Sequence, residues 1–372
     1  MEVYFLKYVR MPIEAESPEQ FGYGNIKYNL SESSVRDRTL KDMGIVVDDA
    51  LLYYGDHEGI PKLREVIAKR SGLNSKDVIV TAGASTALFM IATSFLERGD
   101  HMVVARPNYA TNIETPKAIG ADISYLDLKF EEGYLVDPKK LEALIRPNTK
   151  YVSLTNYHNP TGTQISDDTI KEIIAIVESK GCYLLMDETY REMAYGQLPV
   201  VAATLSDRVI SVSSMSKTYG IPGIRIGWLA TQNKALFEQF LCAKEQIGIC
   251  GSVIDEEIAY KMLSQADEWL LENGKHIKRA FEYTKSWIAQ EEYMEWVEPK
   301  GGVVCFPRVK ESAGVDMDKF YTLLLEKYKT YVGPGHWFEQ SRNHMRIGFA
   351  WPLFDELTAG FANISKALRD AK

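Results

Sequence analysis

VISVSSMSKTYGIPGIRIGWLA, residues 209–230, holds a lysine between two apolar runs. Val209–Val212 reads as a buried strand. The polar turn Ser213-Ser214-Met215-Ser216-Lys217 follows, then a loop punctuated by Gly and Pro. A second apolar run, Ile224–Ala230, carries a lone Arg225. A lysine in that setting loses hydration, which depresses its pKa and makes its amine a better nucleophile. Hydroxyls before it and an arginine after it suit a phosphate dianion, and a neutral amine suits an aldehyde. Pyridoxal 5'-phosphate (PLP) presents both groups.

The remaining sequence bounds this reading. A chain of 372 residues, 45% apolar and 25% charged, is long enough for one large domain and a smaller one. A formal net charge of −8 and the lack of a basic tract argue against a nucleic-acid binder. Cys182, Cys242, Cys250 and Cys305 form no CxxC pair and have no paired His ligands, so a reduced cytoplasmic setting without a metal is expected. The start, MEVYFLKYVRMPIE, lacks a signal-length apolar core, and no run reaches the ~20 apolar residues of a membrane span.

Organisation follows from the alternation of short apolar runs with longer segments of helical period. Strands are expected at Val78–Thr81, Met102–Ala105, Ile123–Leu126, Tyr151–Thr155, Tyr183–Met186, Val209–Val212 and Ile226–Ala230. Between them lie helical segments such as Ser85–Leu96 and Asp167–Ser179, and Pro61 opens a helix over Lys62–Arg70. This pattern predicts an α/β fold with a mostly parallel seven-stranded sheet, whose ligands gather beyond the carboxyl ends of the strands. A long helical stretch runs from about Asp255 through Arg279 to Gln290. Short strands (Glu295–Glu298, Val303–Pro307, His344–Phe349) and two helices (Asp316–Lys327, Leu353–Ala371) then predict a smaller α+β domain. The expected division is an N-terminal arm at 1–40 packing on the small domain, a large domain at 41–275 and a small domain at 276–372. Neither G-x-G-x-x-G after a strand nor a Walker A sequence is present, which removes the usual support for a nucleotide site.

Five motifs in register carry a resemblance. Asn159-Pro160-Thr161-Gly162, Asp187-Glu188-Thr189-Tyr190, Ser214-Met215-Ser216-Lys217, Arg225 and Arg346 in HMRIGFA occur in the order found in class I/II aminotransferases of PLP fold type I. The resemblance covers about Asn29 to Phe349 and implies a role for each residue. Lys217 resembles the Schiff-base lysine, which also shuttles the α-proton. Asp187 resembles the anion that keeps the pyridine nitrogen protonated and the ring an electron sink. Asn159 and Tyr190 resemble the donors to the phenolic oxygen. Tyr109 matches the aromatic that stacks on the ring.

Phosphate contacts are implied for Gly83-Ala84-Ser85 at a strand-to-helix turn, for the hydroxyls of Ser214 and Ser216, and for Arg225. Tyr54 resembles the tyrosine that reaches the neighbouring subunit's phosphate in a homodimer with shared sites. Arg346 resembles the clamp on the substrate α-carboxylate, across a cleft that closes on substrate.

The arm departs from the family pattern. Tyr28-Asn29-Leu30-Ser31-Glu32-Ser33-Ser34-Val35-Arg36 has serine and glutamate where many relatives place a substrate-facing glycine. Ser31 thus becomes a candidate substrate contact. Glu32 suits a cationic side chain and Arg36 or Arg38 an anionic one, with a solvated loop as the plain alternative. His158 stands where many relatives have asparagine, either as an extra acid/base or as a packing residue. The arm resembles that of capreomycidine-synthase-like members, which use PLP for elimination and cyclisation. The leading reading, because every catalytic residue of the cycle has a candidate, is an amino-acid aminotransferase passing its amino group to a 2-oxo acid. A PLP lyase, cyclase, decarboxylase or oxidase is the alternative, because the electron sink serves them all. A non-catalytic regulatory module is the remote one.

Overall fold

The computed structural model describes residues 6–372. Two short helices, α1 (Pro12–Ala15) and α2 (Pro18–Phe21), and a two-residue strand, β1 (Tyr28–Asn29), form the arm. The large sheet and its helices follow as α3 (Pro61–Ser71), β2 (Val78–Thr81), α4 (Ala84–Phe95), β3 (His101–Arg106), α5 (Thr111–Ile119) and β4 (Asp122–Asp127). They continue as α6 (Pro138–Leu144), β5 (Thr149–Thr155), α7 (Asp167–Lys180), β6 (Tyr183–Asp187), β7 (Val209–Ser214) and β8 (Gly227–Ala230). After α8 (Lys234–Gly248), α9 (Val253–Ser264) and α10 (Ala266–Gln290) come β9 (Met294–Glu295), β10 (Val304–Cys305), β11 (Arg308–Val309) and α11 (Met317–Glu326). The chain ends with β12 (Thr330–Tyr331), β13 (Gly333–Pro334), β14 (Met345–Gly348) and α12 (Phe354–Asp370).

The seven strands run in the order β2-β8-β7-β6-β5-β3-β4. All are parallel except β8, which is antiparallel to both its neighbours. Central strands are apolar on both faces because helices cover both. Val152, Leu184 and Val209 pack beneath α6 and α7 with Leu141, Ile170 and Ile173. Their strand neighbours Tyr151, Leu185 and Ile210 face α4 and α8, where Leu88, Ile91 and Phe240 fill the other layer. Burying one such Leu or Ile contributes roughly 1.5–3 kcal/mol. The ends of α7 show why it stops where it does. Ser166 caps its start by accepting from Thr169 N at 3.1 Å, and left-handed Gly181 closes it.

A separate core joins α10, α11 and α12 to β10 and β14 through Phe281, Phe320, Phe349 and Phe361. The arm is tied to this part of the chain. β1 lies parallel to β12, pairing Tyr28 with Thr330, and Gly348 N donates to Leu30 O at 2.7 Å.

Three expectations are corrected. The long helix from Asp255 to Gln290 is two helices, because Gln265 leaves helical geometry, and its side-chain Nε2 donates to Met43 O at 3.3 Å. The strand expected from Ile226 begins at Gly227, and Arg225 lies before it in a left-handed turn with φ 49°. The strand expected over Glu295–Glu298 is the two-residue β9, at Met294–Glu295.

Candidate active site

The carboxyl ends of the parallel strands converge with the antiparallel β8 at one edge. Thr155 pairs with Asp187 in register, and Ser214 and Thr81 both lie opposite Gly227. Beyond this edge lies a cavity of about 320 Å³. Its wall includes Ala84, Ser85, Tyr109, Asn159, Asp187, Tyr190, Ser214, Ser216, Lys217, Arg225, Arg346 and Ser31. With Glu32, thirteen candidate site residues named from the sequence therefore line one space. Gly83 borders it without lining it, and Tyr54 lies outside it, 80% exposed.

Asp187 ends β6 and is 6% exposed. Its Oδ1 accepts from Thr189 N at 3.1 Å and Thr189 Oγ1 at 2.6 Å. Burial pushes its pKa up against those two bonds and the nearby Lys217. A buried carboxylate in that state is best stabilised by a cationic partner. Lys217 follows the turn after β7, and burial lowers its pKa, opposed by the charge of Glu32 and reinforced by that of Arg346. The amine is thus biased towards its neutral, nucleophilic form. Tyr190 is buried and its hydroxyl is pushed up to about 12, chiefly by burial, so it stays a proton donor at neutral pH.

Arg346, on β14, is 4% exposed. Its Nη1 donates to Asn159 Oδ1 at 3.2 Å and its Nη2 to Ser31 O at 2.7 Å. Its Nε is buried without a hydrogen-bond partner, and the residue lines the cavity, where its charge suits an anionic ligand. Asn159 and Ser31 are thus joined through this guanidinium.

The phosphate-type corner is built by close backbone approach. Gly83 precedes α4 with φ 83°, and a Cβ there would meet Arg225 Nη2 at 2.5 Å. A Cβ on Gly227 would meet Ala84 N at 2.5 Å. Only glycines let the guanidinium, the first amides of α4 and the Ser214 strand end share this space. Ser214 Oγ accepts from Ser216 N at 3.4 Å.

His158 has a structural setting. Its ring is buried, 2.8 Å from both Pro107 O and Thr161 Oγ1, and burial lowers its pKa to about 4. It does not line the cavity, which favours the packing alternative over the acid/base one. Glu14 and Glu19, on α1 and α2, do line it and were not singled out from sequence. Each follows a helix-opening proline, and no periodic signal ties so short a helix to a distant site.

These donors fit PLP: a buried carboxylate wanting a cation, a lysine biased to the neutral amine, and a glycine-lined corner holding a guanidinium. The site and the mixed seven-stranded sheet define PLP fold type I. The model of "Aminotransferase class I and II" matches residues 21–353. Capreomycidine synthase of Streptomyces vinaceus is 28% identical over 93% of this chain and 91% of its own. A PLP-dependent aminotransferase from Streptococcus suis superposes with TM-score 0.90 at 29% identity, covering 98% of this chain and 99% of its own. The PLP-dependent cyclase OrfR superposes with TM-score 0.89 at 25% identity, over 98% and 99%. The chain belongs to the class I and II aminotransferases, which depend on pyridoxal phosphate.

Proposed function

We propose that this enzyme moves the α-amino group of an amino acid to a 2-oxo acid in the cavity around Lys217. The observation that carries the reading is the convergence on one space of Lys217, Asp187, Asn159, Tyr190, Arg225 and Arg346.

PLP, when bound, supplies a ring that takes up the electron pair released at the substrate α-carbon. Lys217 Nζ would hold its aldehyde carbon, and Asp187 its ring nitrogen. Asn159 and Tyr190 would hold the phenolic oxygen, and Tyr109 would lie against the ring. Gly83, Ala84, Ser85, Ser214, Ser216 and Arg225 would hold the phosphate. Arg346 orients the substrate by its carboxylate, with Ser31 and Asn159 fixing the guanidinium plane. With its amine free, Lys217 Nζ would be a base of lowered pKa that takes the substrate α-proton and returns it.

Domain limits at 1–40, 41–275 and 276–372 are proposed, the last limit falling inside α10; the core around α12 also takes in Tyr157, Tyr190 and Met193, and residues 1–5 lie outside the described part. Closure of the cleft would move Arg346 and the arm attached to it. A homodimer is supported by uncovered apolar side chains at Leu51, Leu52 and Tyr54, which are 74%, 73% and 80% exposed. Tyr54 would reach the neighbouring subunit's phosphate there. A cytoplasmic setting accords with four unpaired cysteines. Among the described residues, no helix is long and apolar enough to cross a membrane.

Elimination or cyclisation is the second reading, favoured by the likeness to capreomycidine synthase and OrfR and by glutamate at position 32. Assaying amino acids with and without 2-oxo acids separates the two. Amino-group transfer that requires the 2-oxo acid is expected. Ammonia or a cyclised product formed without an acceptor would overturn the transamination reading.

A further inference from the structure

Assigning the cavity's cations leaves three negative charges over. Arg225 is matched to a phosphate, Arg346 to a carboxylate and Lys217 to an aldehyde. Asp187 is matched to a ring cation. Glu14, Glu19 and Glu32 line the same cavity, and all three come from the arm. Among the described residues, none of the three forms an ion pair with Lys, Arg or His. Glu19 accepts from Tyr23 Oη at 3.1 Å and Glu32 from Asn29 Nδ2 at 3.3 Å. Glu14 and Glu19 are exposed, whereas Glu32 is partly buried and its carboxyl is pushed up by desolvation.

A second, independent observation fixes the polarity of the ligand. The buried guanidinium of Arg346, which lines the cavity, calls for an anionic group at that part of it. A ligand answering both features carries a carboxylate for Arg346 and a positive charge for the arm glutamates. An acidic side chain would add a fourth negative charge to those three. A neutral one would leave Glu32 desolvated with a single weak hydrogen bond.

We propose that the enzyme selects amino acids with a cationic side chain, a guanidinium or ammonium held by Glu32 and drawn in by Glu14 and Glu19. The inference rests on the reading above, in which Arg346 takes the α-carboxylate. Charge-assisted hydrogen bonds to a partly buried carboxylate discriminate by about tenfold or more against an uncharged analogue. The two exposed glutamates act through a longer-range field that salt screens.

The test uses the PLP-loaded full-length enzyme and reads cofactor absorbance in single-turnover half-reactions. Arginine is compared with its neutral isostere citrulline, and lysine with norleucine, at low salt and at high salt. The expected result is a second-order rate constant at least tenfold higher for each cation, with the ratio shrinking as salt rises. Glu32→Gln lowers the arginine-to-citrulline ratio about tenfold, whereas Glu32→Asp keeps a preference for arginine. Glu14→Gln with Glu19→Gln, both at exposed positions, removes most of the salt dependence and serves should the Glu32 variants fail to fold. Parity within both pairs, a better rate with glutamate, or equal loss on both partners in Glu32→Gln overturns the proposal and leaves the aminotransferase reading standing. No half-reaction with any amino acid overturns that reading and the selectivity with it.

Discussion

At the scale of single residues, burial divides the site's chemistry. Lys217 is desolvated and biased to the neutral amine, whereas Asp187 is desolvated and calls for a cation. Arg346 is held in plane by Asn159 and Ser31 O. Arg346→Lys keeps the charge and loses the fork, so kcat/KM should fall about 10- to 100-fold, mostly through KM. An unchanged KM in steady-state kinetics would contradict the clamp. His158 makes a stability prediction. Its pKa falls from an ordinary 6.5 to about 4, so the unfolded chain takes up its proton first as pH drops. The stabilisation is complete above pH 6.5 and is lost as pH falls through 4, about 3 kcal/mol in all. Urea unfolding across that window should show this slope in the wild type and a flatter one in His158→Asn.

Elements explain why some of this was legible and some was not. Most strands of the large sheet are runs of apolar residues whose ends place Asp187 and Ser214 at one edge, so the strands were legible from pattern, and the common site from the resemblance the five motifs carry. The two-residue strands β1, β12 and β13 carry no periodicity, and their positions depend on contacts from far along the chain. The arm shows this most clearly. Nothing local tells that Glu14 and Glu19 reach the cavity, because the arm is held from far along the chain, by Tyr331, His336 and Trp337 bonding to Glu16, by pairing of β1 with β12 and by a close approach at Gly348. A Cβ on Gly348 would lie 1.6 Å from Glu32 O. Gly348→Ala must therefore push the arm off β14. The expected outcome is at least a tenfold loss of kcat/KM and faster amide exchange at residues 28–35. Unchanged exchange there would show that the arm is held by other means.

For the whole molecule, the class of enzyme was readable because five motifs on separate elements must meet at one cofactor. Tyr54 was harder to place, since its proposed partner lies in another copy of the chain. The exposed Leu51 and Leu52 beside it make the assembly testable. Light scattering should give twice the chain mass. Leu52→Asp should lower that mass towards one chain and weaken PLP binding, because Tyr54 would lose its place at the neighbouring phosphate. A PLP affinity unaffected by dissociation would argue that each chain completes its own site.

The central claim is that Lys217 is the residue joined to the cofactor, and its most direct test is covalent. Borohydride reduction of the PLP-loaded enzyme, followed by peptide mapping, should place one phosphopyridoxyl group on the peptide containing Lys217, with none in Lys217→Ala. A label on a different lysine, or no label on an enzyme that has bound PLP, would contradict the account.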